Sequence, residues 1–201
     1  MIIIGNDFID MSVPENLKTF SRKGIEKFFS EHENIIAKTD VINHNYARLW
    51  AMKESIYKCM LKLGYKHAFS PAKIILDVEN EIKSWSASTI IDSVKYFALC
   101  KMDGNYIECV ASNSKKILKD IESFMLKTNI SISKQSLLKL NKRYNMKVTE
   151  IIKTTLNIPL ALSESNFYYE ISLSSEESLY LVSIYPTKLN VLECNYLNLK
   201  S

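Results

Sequence analysis

Glycine and proline are scarce, with four of each in 201 residues. With so few chain-breaking residues and no low-complexity stretch, nothing reads as a flexible linker, and any separate units are expected to pack together. Cysteine is equally thin. Cys59, Cys100, Cys109 and Cys194 lie far apart without a C-x-x-C pair, which argues against a disulfide framework or a zinc site and for buried small hydrophobes. His32, His44 and His67 are the three histidines, and none stands at metal-ligand spacing from another histidine or a cysteine. No run of eighteen apolar residues occurs, so no membrane-spanning helix is expected. The opening Met1, Ile2, Ile3 and Ile4 give way at once to Gly5, Asn6 and Asp7, unlike the long apolar region of a signal peptide, and a soluble cytoplasmic protein is the expectation. A strong charge of one sign is missing too. The net charge of +4 suits an acidic protein or a phosphate-rich small molecule as partner, but it is too weak for nucleic acid, whose stacking and basic-groove signatures are also absent.

What is present is ordinary globular material, 47% hydrophobic and 24% charged, enough for one large domain or two small ones. Residues 1–4 read as a short buried strand opening into a loop that carries Asp7 and Asp10. Residues 14–20 and 23–34 read as helices, the second with an apolar stripe at Ile25, Phe28 and Phe29 and a basic face at Lys18, Arg22, Lys23 and Lys27. A longer helix is expected over 44–63, stopped by Gly64. A strand over 73–78 and a hairpin of 94–102 with 106–110, turning at Asp103-Gly104-Asn105, complete a first α+β unit. Beyond Ser114 the spacing turns helical through Ile117, Ile121 and Phe124 and then Leu137 and Leu138, before strands at 167–174, 179–185 and 190–197. The predicted fold class is therefore α+β, with units over 1–112 and 113–201 and helices preceding strands in the second.

The helix over 44–63 carries two faces. Leu49, Met52, Ile56, Cys59, Met60 and Leu63 form one stripe at 100 degrees per residue, while Glu54 points away with Trp50, Tyr57, Lys58 and Leu61 around it. A purely solvated face would not carry Trp50, Tyr57 and Leu61, so this side is expected to meet something as well. Glu54 and Lys58, four apart in the favourable order, read either as a helix ion pair or as part of a site. Asp7 and Asp10 read either as turn and capping residues or, for Asp7 at the end of a buried strand, as a ligand-binding carboxylate. Carboxylates from separate elements together with a lysine suit a magnesium and phosphate site, because hard divalent cations take oxygen ligands and share them with phosphates.

Gly5-Asn6-Asp7-Phe8-Ile9-Asp10 and Trp50-Ala51-Met52-Lys53-Glu54-Ser55-Ile56-Tyr57-Lys58 resemble the two signatures of the 4'-phosphopantetheinyl transferase superfamily, G-x-D and W-x-x-K-E-x-x-x-K. The opening is that of bacterial members with a Gly-Asn-Asp motif. The stretch from Arg22 to Glu33, with Phe29, Ser30 and Glu33 at its end, is similar to the family's intervening segment. The likeness covers residues 1–112 well and continues more faintly. Lys153 to Pro159 resembles the segment ending in Gly-x-Pro, with Asn157 in place of the glycine. Ile171-Ser172-Leu173-Ser174 resembles the Ser-Leu-Ser-His strand, with Ser175 at the histidine position and Glu176 and Glu177 after it.

The resemblance implies two α+β lobes in a pseudo-twofold arrangement with coenzyme A in the cleft between them. It implies that Asp7 and Glu54, with Asp10 assisting directly or through water, bind Mg2+ and the coenzyme A pyrophosphate. A serine of an acyl or peptidyl carrier protein would attack the β-phosphate and release adenosine 3',5'-bisphosphate. Glu54 would take the serine proton, Lys58 would offset charge on the phosphate oxygens, and Lys53 would reach phosphate or shape the cleft. Lys153, Ser174 and Ser175 fall at the coenzyme A phosphates, and Trp50 reads as packing. Family carriers are acidic, which gives Lys18, Arg22, Lys23 and Lys27 a partner, although a merely solvated face accounts for them equally. The competing expectation is a degenerate, non-catalytic relative that binds carrier protein or coenzyme A. It rests on the missing histidine and glycine, and the intact Asp7, Glu54 and Lys58 stand against it.

Overall fold

The computed structural model describes residues 1–18, 20, 22–38, 42–80, 84–127, 132–144, 146–153, 159–163, 167–176 and 179–190. Its first strand, β1 (Ile4–Asp10), is longer than expected and holds both aspartates, which were expected in a loop. Pairing is the reason: β1 runs antiparallel to the last strand of its sheet, from Ile4 opposite Ser112 to Asp10 opposite Tyr106. The helices α1 (Pro14–Lys18), α2 (Arg22–Phe28) and α3 (Glu31–Ala37) follow. The expected helix over 23–34 is thus two helices, because Ser30 caps the second. Its hydroxyl accepts from the Glu33 N–H at 3.3 Å and the Glu33 carboxylate accepts from the Ser30 N–H at 2.7 Å, a reciprocal capping box that starts a new helix.

The long helix α4 (Ile42–Lys62) comes next, with Gly64 beyond it at φ +90. After a 3-10 turn at Pro71–Lys73 come β2 (Asp77–Asn80), which overlaps the strand expected over 73–78 only at Asp77 and Val78, then β3 (Ser84–Ile91), β4 (Val94–Asp103) and β5 (Tyr106–Ser112). The second unit opens with a 3-10 turn (Lys115–Lys119) and a strand, β6 (Glu122–Lys127), where helix was expected. Then follow α5 (Ile132–Tyr144), β7 (Val148–Lys153), β8 (Pro159–Ser163), β9 (Phe167–Glu176) and β10 (Leu179–Asn190). The expected strand over 190–197 lies outside the described residues apart from Asn190.

The protein is mixed α+β with two five-stranded antiparallel sheets, ordered β1-β5-β4-β3-β2 and β6-β10-β9-β8-β7. The two orders are the same: each begins with its first strand at one edge, and each places a helix between its first and second strands. In the first sheet the inner face packs on α4, where Leu49, Met52, Ile56 and Cys59 meet Ala98, Cys100, Ile107, Cys109 and Ala111. Contact is close enough that a Cβ on Gly5 would lie 2.0 Å from the Ser55 carbonyl oxygen, so only glycine lets the helix backbone sit on β1 here. In the second sheet Leu140 of α5 packs with Phe124, Val148, Ile171 and Val182. Leu160 and Tyr168 belong instead to the core of the first sheet, so the two sheets share buried surface. Among the described residues no helix is long and apolar enough to cross a membrane.

Polar contacts complete the junction. Asn6, wholly buried, donates its side-chain amide to the Ser172 and Leu181 carbonyls at 3.2 and 3.1 Å and to the Ser183 hydroxyl at 3.0 Å. Lys62, from the last turn of α4, forms a buried ion pair with Glu170 of β9 and donates to the Ile171 carbonyl at 2.7 Å.

Candidate active site

Side chains alternate along a strand, so Gly5, Asp7 and Ile9 face α4 while Asn6 faces the second sheet. Glu54 and Lys58 are one turn apart on the side of α4 that reaches the end of β1. The Lys58 ammonium donates to the Asn6 carbonyl at 2.6 Å and to Asp7 Oδ1 at 3.1 Å. Glu54 Oε2 accepts from the Trp50 indole N–H at 2.9 Å, which orients the carboxylate. Trp50 is itself held edge-on by Phe20, Phe28 and Phe69 with ring centroids 6.4, 5.3 and 5.4 Å away. It therefore does more than pack.

Asp7 is buried, and burial raises its pKa from 3.8 to about 7. Lys58 opposes that rise by charge and hydrogen bond, the neighbouring Glu54 adds to it, and the Phe8 N–H works against it. Burial thus favours the neutral form of the Asp7 carboxyl, and the Lys58 ammonium offsets this only in part. Asp7 and Glu54 line a cleft of about 220 Å³ together with Ile9 and Trp50 from the first unit and Ser175 and Glu176 from the second. Asp7, Glu54 and Lys58, singled out from spacing and resemblance, are brought together.

Other expected residues are placed elsewhere. Lys53 is wholly buried and donates to Glu33 Oε2 at 2.8 Å and to the Phe28 and Pro71 carbonyls at 3.0 Å each. Its three protons are committed, so it cannot reach a phosphate in this arrangement, and the expectation is corrected: Lys53 ties α2, the Pro71 turn and α4 together. Burial lowers its pKa, against the pull of Glu33. The Glu33 carboxylate also accepts from the Leu76 N–H at 3.0 Å, which makes the segment around Phe29, Ser30 and Glu33 a scaffold for α4. Asp10 Oδ1 accepts from the Ser12 N–H and hydroxyl at 2.9 and 2.6 Å, and Asp10 does not line the cleft with Asp7 and Glu54. An odd separation along one strand puts the two aspartates on opposite faces.

Ser174 is buried with its hydroxyl unpartnered. Lys153 is exposed at the end of β7 and does not line the cleft. Lys23 and Lys27 are exposed on α2; the side chains of Lys18 and Arg22, and Asn157 and Glu177 altogether, lie outside the description. Sequence reasoning missed the roles of Asn6, Lys62, Glu170 and Asn16. Only Asn6 left a signal, as a polar residue inside an otherwise apolar strand. Among the described residues no group of three or more His, Cys, Asp or Glu is arranged to hold a metal ion, so a cation here would depend on the pair and on ligand oxygens. No protein-family model, no curated protein and no solved structure matches the chain.

Proposed function

We propose that this protein is a Mg2+-dependent 4'-phosphopantetheinyl transferase that moves the phosphopantetheine arm of coenzyme A onto a serine of an acyl or peptidyl carrier protein. The observation that carries the reading is the meeting of Asp7 and Glu54 at one cleft lined from both units, with the Lys58 ammonium bonded to Asp7. Identical strand order in the two sheets supports a pseudo-twofold pair of lobes. The carboxylate pair fits Mg2+: its donors are all oxygen, and only Asp7 of the two is bonded to the Lys58 ammonium. Mg2+ takes one or two protein carboxylates and fills its shell with water and phosphate oxygens, and it would offset the charge of the pyrophosphate.

The chain's own groups do the rest. Lys58, tethered by the Asn6 carbonyl and Asp7, has a third proton for a phosphate oxygen, in the role of a compact point charge. Glu54 accepts the proton of the carrier serine, directly or through one water. The serine oxygen forms a bond to the β-phosphorus as the bridging oxygen leaves with adenosine 3',5'-bisphosphate. The indole bond at Glu54 Oε2 holds the carboxylate in one rotamer, and the aromatic cluster around Trp50 keeps water from that side.

A second reading is favoured by one observation: Glu176 adds a third carboxylate to the cleft, which suits a relative that binds carrier protein or coenzyme A without transfer. Incubating the protein with coenzyme A, Mg2+ and several apo carrier proteins, then weighing the carriers, decides between them. The transferase reading expects a carrier to gain the mass of phosphopantetheine. Unmodified carriers throughout, with coenzyme A bound, would establish the non-catalytic reading.

A further inference from the structure

β1 and β6 are the edge strands with which the two sheets begin, and β5 and β10 are their neighbours. Asn6 of β1 stands opposite Val110 of β5, and Ser123 of β6 stands opposite Ser183 of β10. These two pairs meet at the junction of the sheets. On one diagonal the space is closed, because the Asn6 amide reaches the Ser183 hydroxyl at 3.0 Å. On the other it stays open: Ser123 and Val110 line one cavity of about 350 Å³. A serine side chain is shorter than that of asparagine, so Ser123 does not span on its side what Asn6 spans on the other.

The cavity combines apolar lining with charge. Leu99, Val110, Leu118 and Ile121 form the apolar part, Leu118 buried and the others half-buried. Lys101, Lys119 and Glu108 bring the charges. Glu108 stands opposite Lys101 in the β4–β5 register, and burial raises its pKa, with Lys101 opposing the rise and Asp103 adding to it. Lys119 is exposed and has no hydrogen bond or ion pair among the described residues; its flexible stem lets the ammonium serve the cavity mouth. Ser123 adds a directed donor. The Ser183 hydroxyl is wholly buried, accepts from the Asn6 amide and lies 2.8 Å from the Ser123 hydroxyl. Were Ser123 the donor of that bond, the Ser183 proton would be buried without an acceptor, so Ser183 donates and the Ser123 proton is left for the cavity.

We infer that this cavity binds a small monocarboxylate with an aliphatic chain, its carboxylate on the Lys119 ammonium and the Ser123 hydroxyl with Lys101 beside it, and its chain against Leu99, Val110, Leu118 and Ile121. Two ammonium groups against one carboxyl leave an excess of one positive charge, which matches a monoanion. A phosphate monoester carries about −1.5 to −2 at neutral pH and would exceed that excess beside Glu108. An inorganic anion would make no use of the apolar lining. Ligand pockets run from roughly 300 to 1,000 Å³, so a cavity at the small end takes a short chain. None of its lining residues lines the Asp7–Glu54 cleft, and the site stands independently of the transferase reading.

The probe is octanoate, titrated into the full chain by calorimetry beside octanol, octylamine and octyl phosphate. Octanoate is expected to bind one-to-one with a Kd of about 1 mM or tighter, and about tenfold or more tighter than each of the other three. Lys119→Met keeps an unbranched stem and removes the charge, so it should weaken octanoate about tenfold, the effect of one lost charge-assisted hydrogen bond. Val110→Phe fills the cavity and should abolish binding. Should that variant not fold, Lys119→Met, at an exposed position, decides alone. Absence of saturable octanoate binding, equal binding of any of the other three probes, or unchanged octanoate affinity in Lys119→Met overturns the assignment. So does octanoate binding that survives in folded Val110→Phe, since the ligand would then sit elsewhere.

Discussion

Replacing Asp7 with asparagine should make the metal-free protein more stable at neutral pH while removing its proposed metal-binding role. Asp7 is only 10% exposed at its side chain, and burial beside Glu54 raises its pKa from 3.8 to about 7. Between those two values the folded state binds a proton that the unfolded state has released. Stability therefore falls as pH rises through this window: the contribution is full below about pH 4 and lost above about pH 7. At 1.36 kcal/mol per pH unit the whole rise corresponds to roughly 4 kcal/mol, an upper figure because real burial sites relax and admit water. Asparagine copies the neutral carboxyl in shape and cannot ionise. Urea unfolding with a chelator present, at pH 5 and pH 8, should show the wild type losing about 2 to 3 kcal/mol more than Asp7→Asn between the two conditions, since the step crosses roughly two pH units of the window. Other titrating groups are common to both proteins and cancel in the comparison. Mg2+ added at pH 8 should recover stability in the wild type and little in the variant, because the cation binds the ionised carboxylate of the folded state. Parallel pH profiles for the two proteins would refute the account of Asp7 as a carboxyl whose proton affinity is raised by burial.

Much of the first unit was legible because its periods are long and uninterrupted. The stripe of Leu49, Met52, Ile56 and Cys59 runs through a helix of 21 residues, and the hairpin at Gly104, with φ +56, announces itself by its turn residues. β3 was not legible: Ser84, Ser86 and Ser88 alternate with Trp85, Ala87 and Thr89, and serine and alanine carry little strand signal although Trp85, Ala87 and Thr89 are buried. In the second unit Ile117, Ile121 and Phe124 stand at i, i+4 and i+7, which is helical spacing. They belong instead to a 3-10 turn, a connector and β6. Eight residues are too few to tell the periods apart when tertiary pairing decides.

The site was legible where it is local. Glu54 and Lys58 share a helix face, and Asp7 ends a buried run. What could not be read is which way each lysine of α4 turns. Lys53, Lys58 and Lys62 end at Glu33, Asp7 and Glu170 respectively, partners 20, 51 and 108 residues away in the chain. Each ammonium meets its carboxylate only once the tertiary structure has formed, and nothing in their spacing of five and four residues distinguishes the scaffold lysine, the lysine bonded to Asp7 and the junction lysine.

Three further expectations follow from those assignments. Glu33→Ala should destabilise the protein by about 3 to 5 kcal/mol by leaving Lys53 charged and unpaired in the core; a melting temperature within a degree or two of wild type would deny the pair its structural role. Reversing exposed Lys23 and Lys27 to glutamate should raise the apparent KM for carrier, and its salt dependence should flatten, because charges are screened over ~8 Å at physiological ionic strength; an unchanged KM would remove α2 from carrier recognition. The last concerns the junction. Lys62 and Glu170 are 2% and 0% exposed at their side chains, so Lys62→Met alone strands a carboxylate that also accepts from the Ile4 N–H, at a cost of about 3 to 5 kcal/mol. Adding Glu170→Gln to Lys62→Met removes the stranded charge and keeps an acceptor for Ile4, so the double variant should regain most of the loss. Denaturation of the two single variants and the double variant measures this coupling directly. Additive losses would mean that the two groups act independently and that the pair is not what fastens α4 to β9.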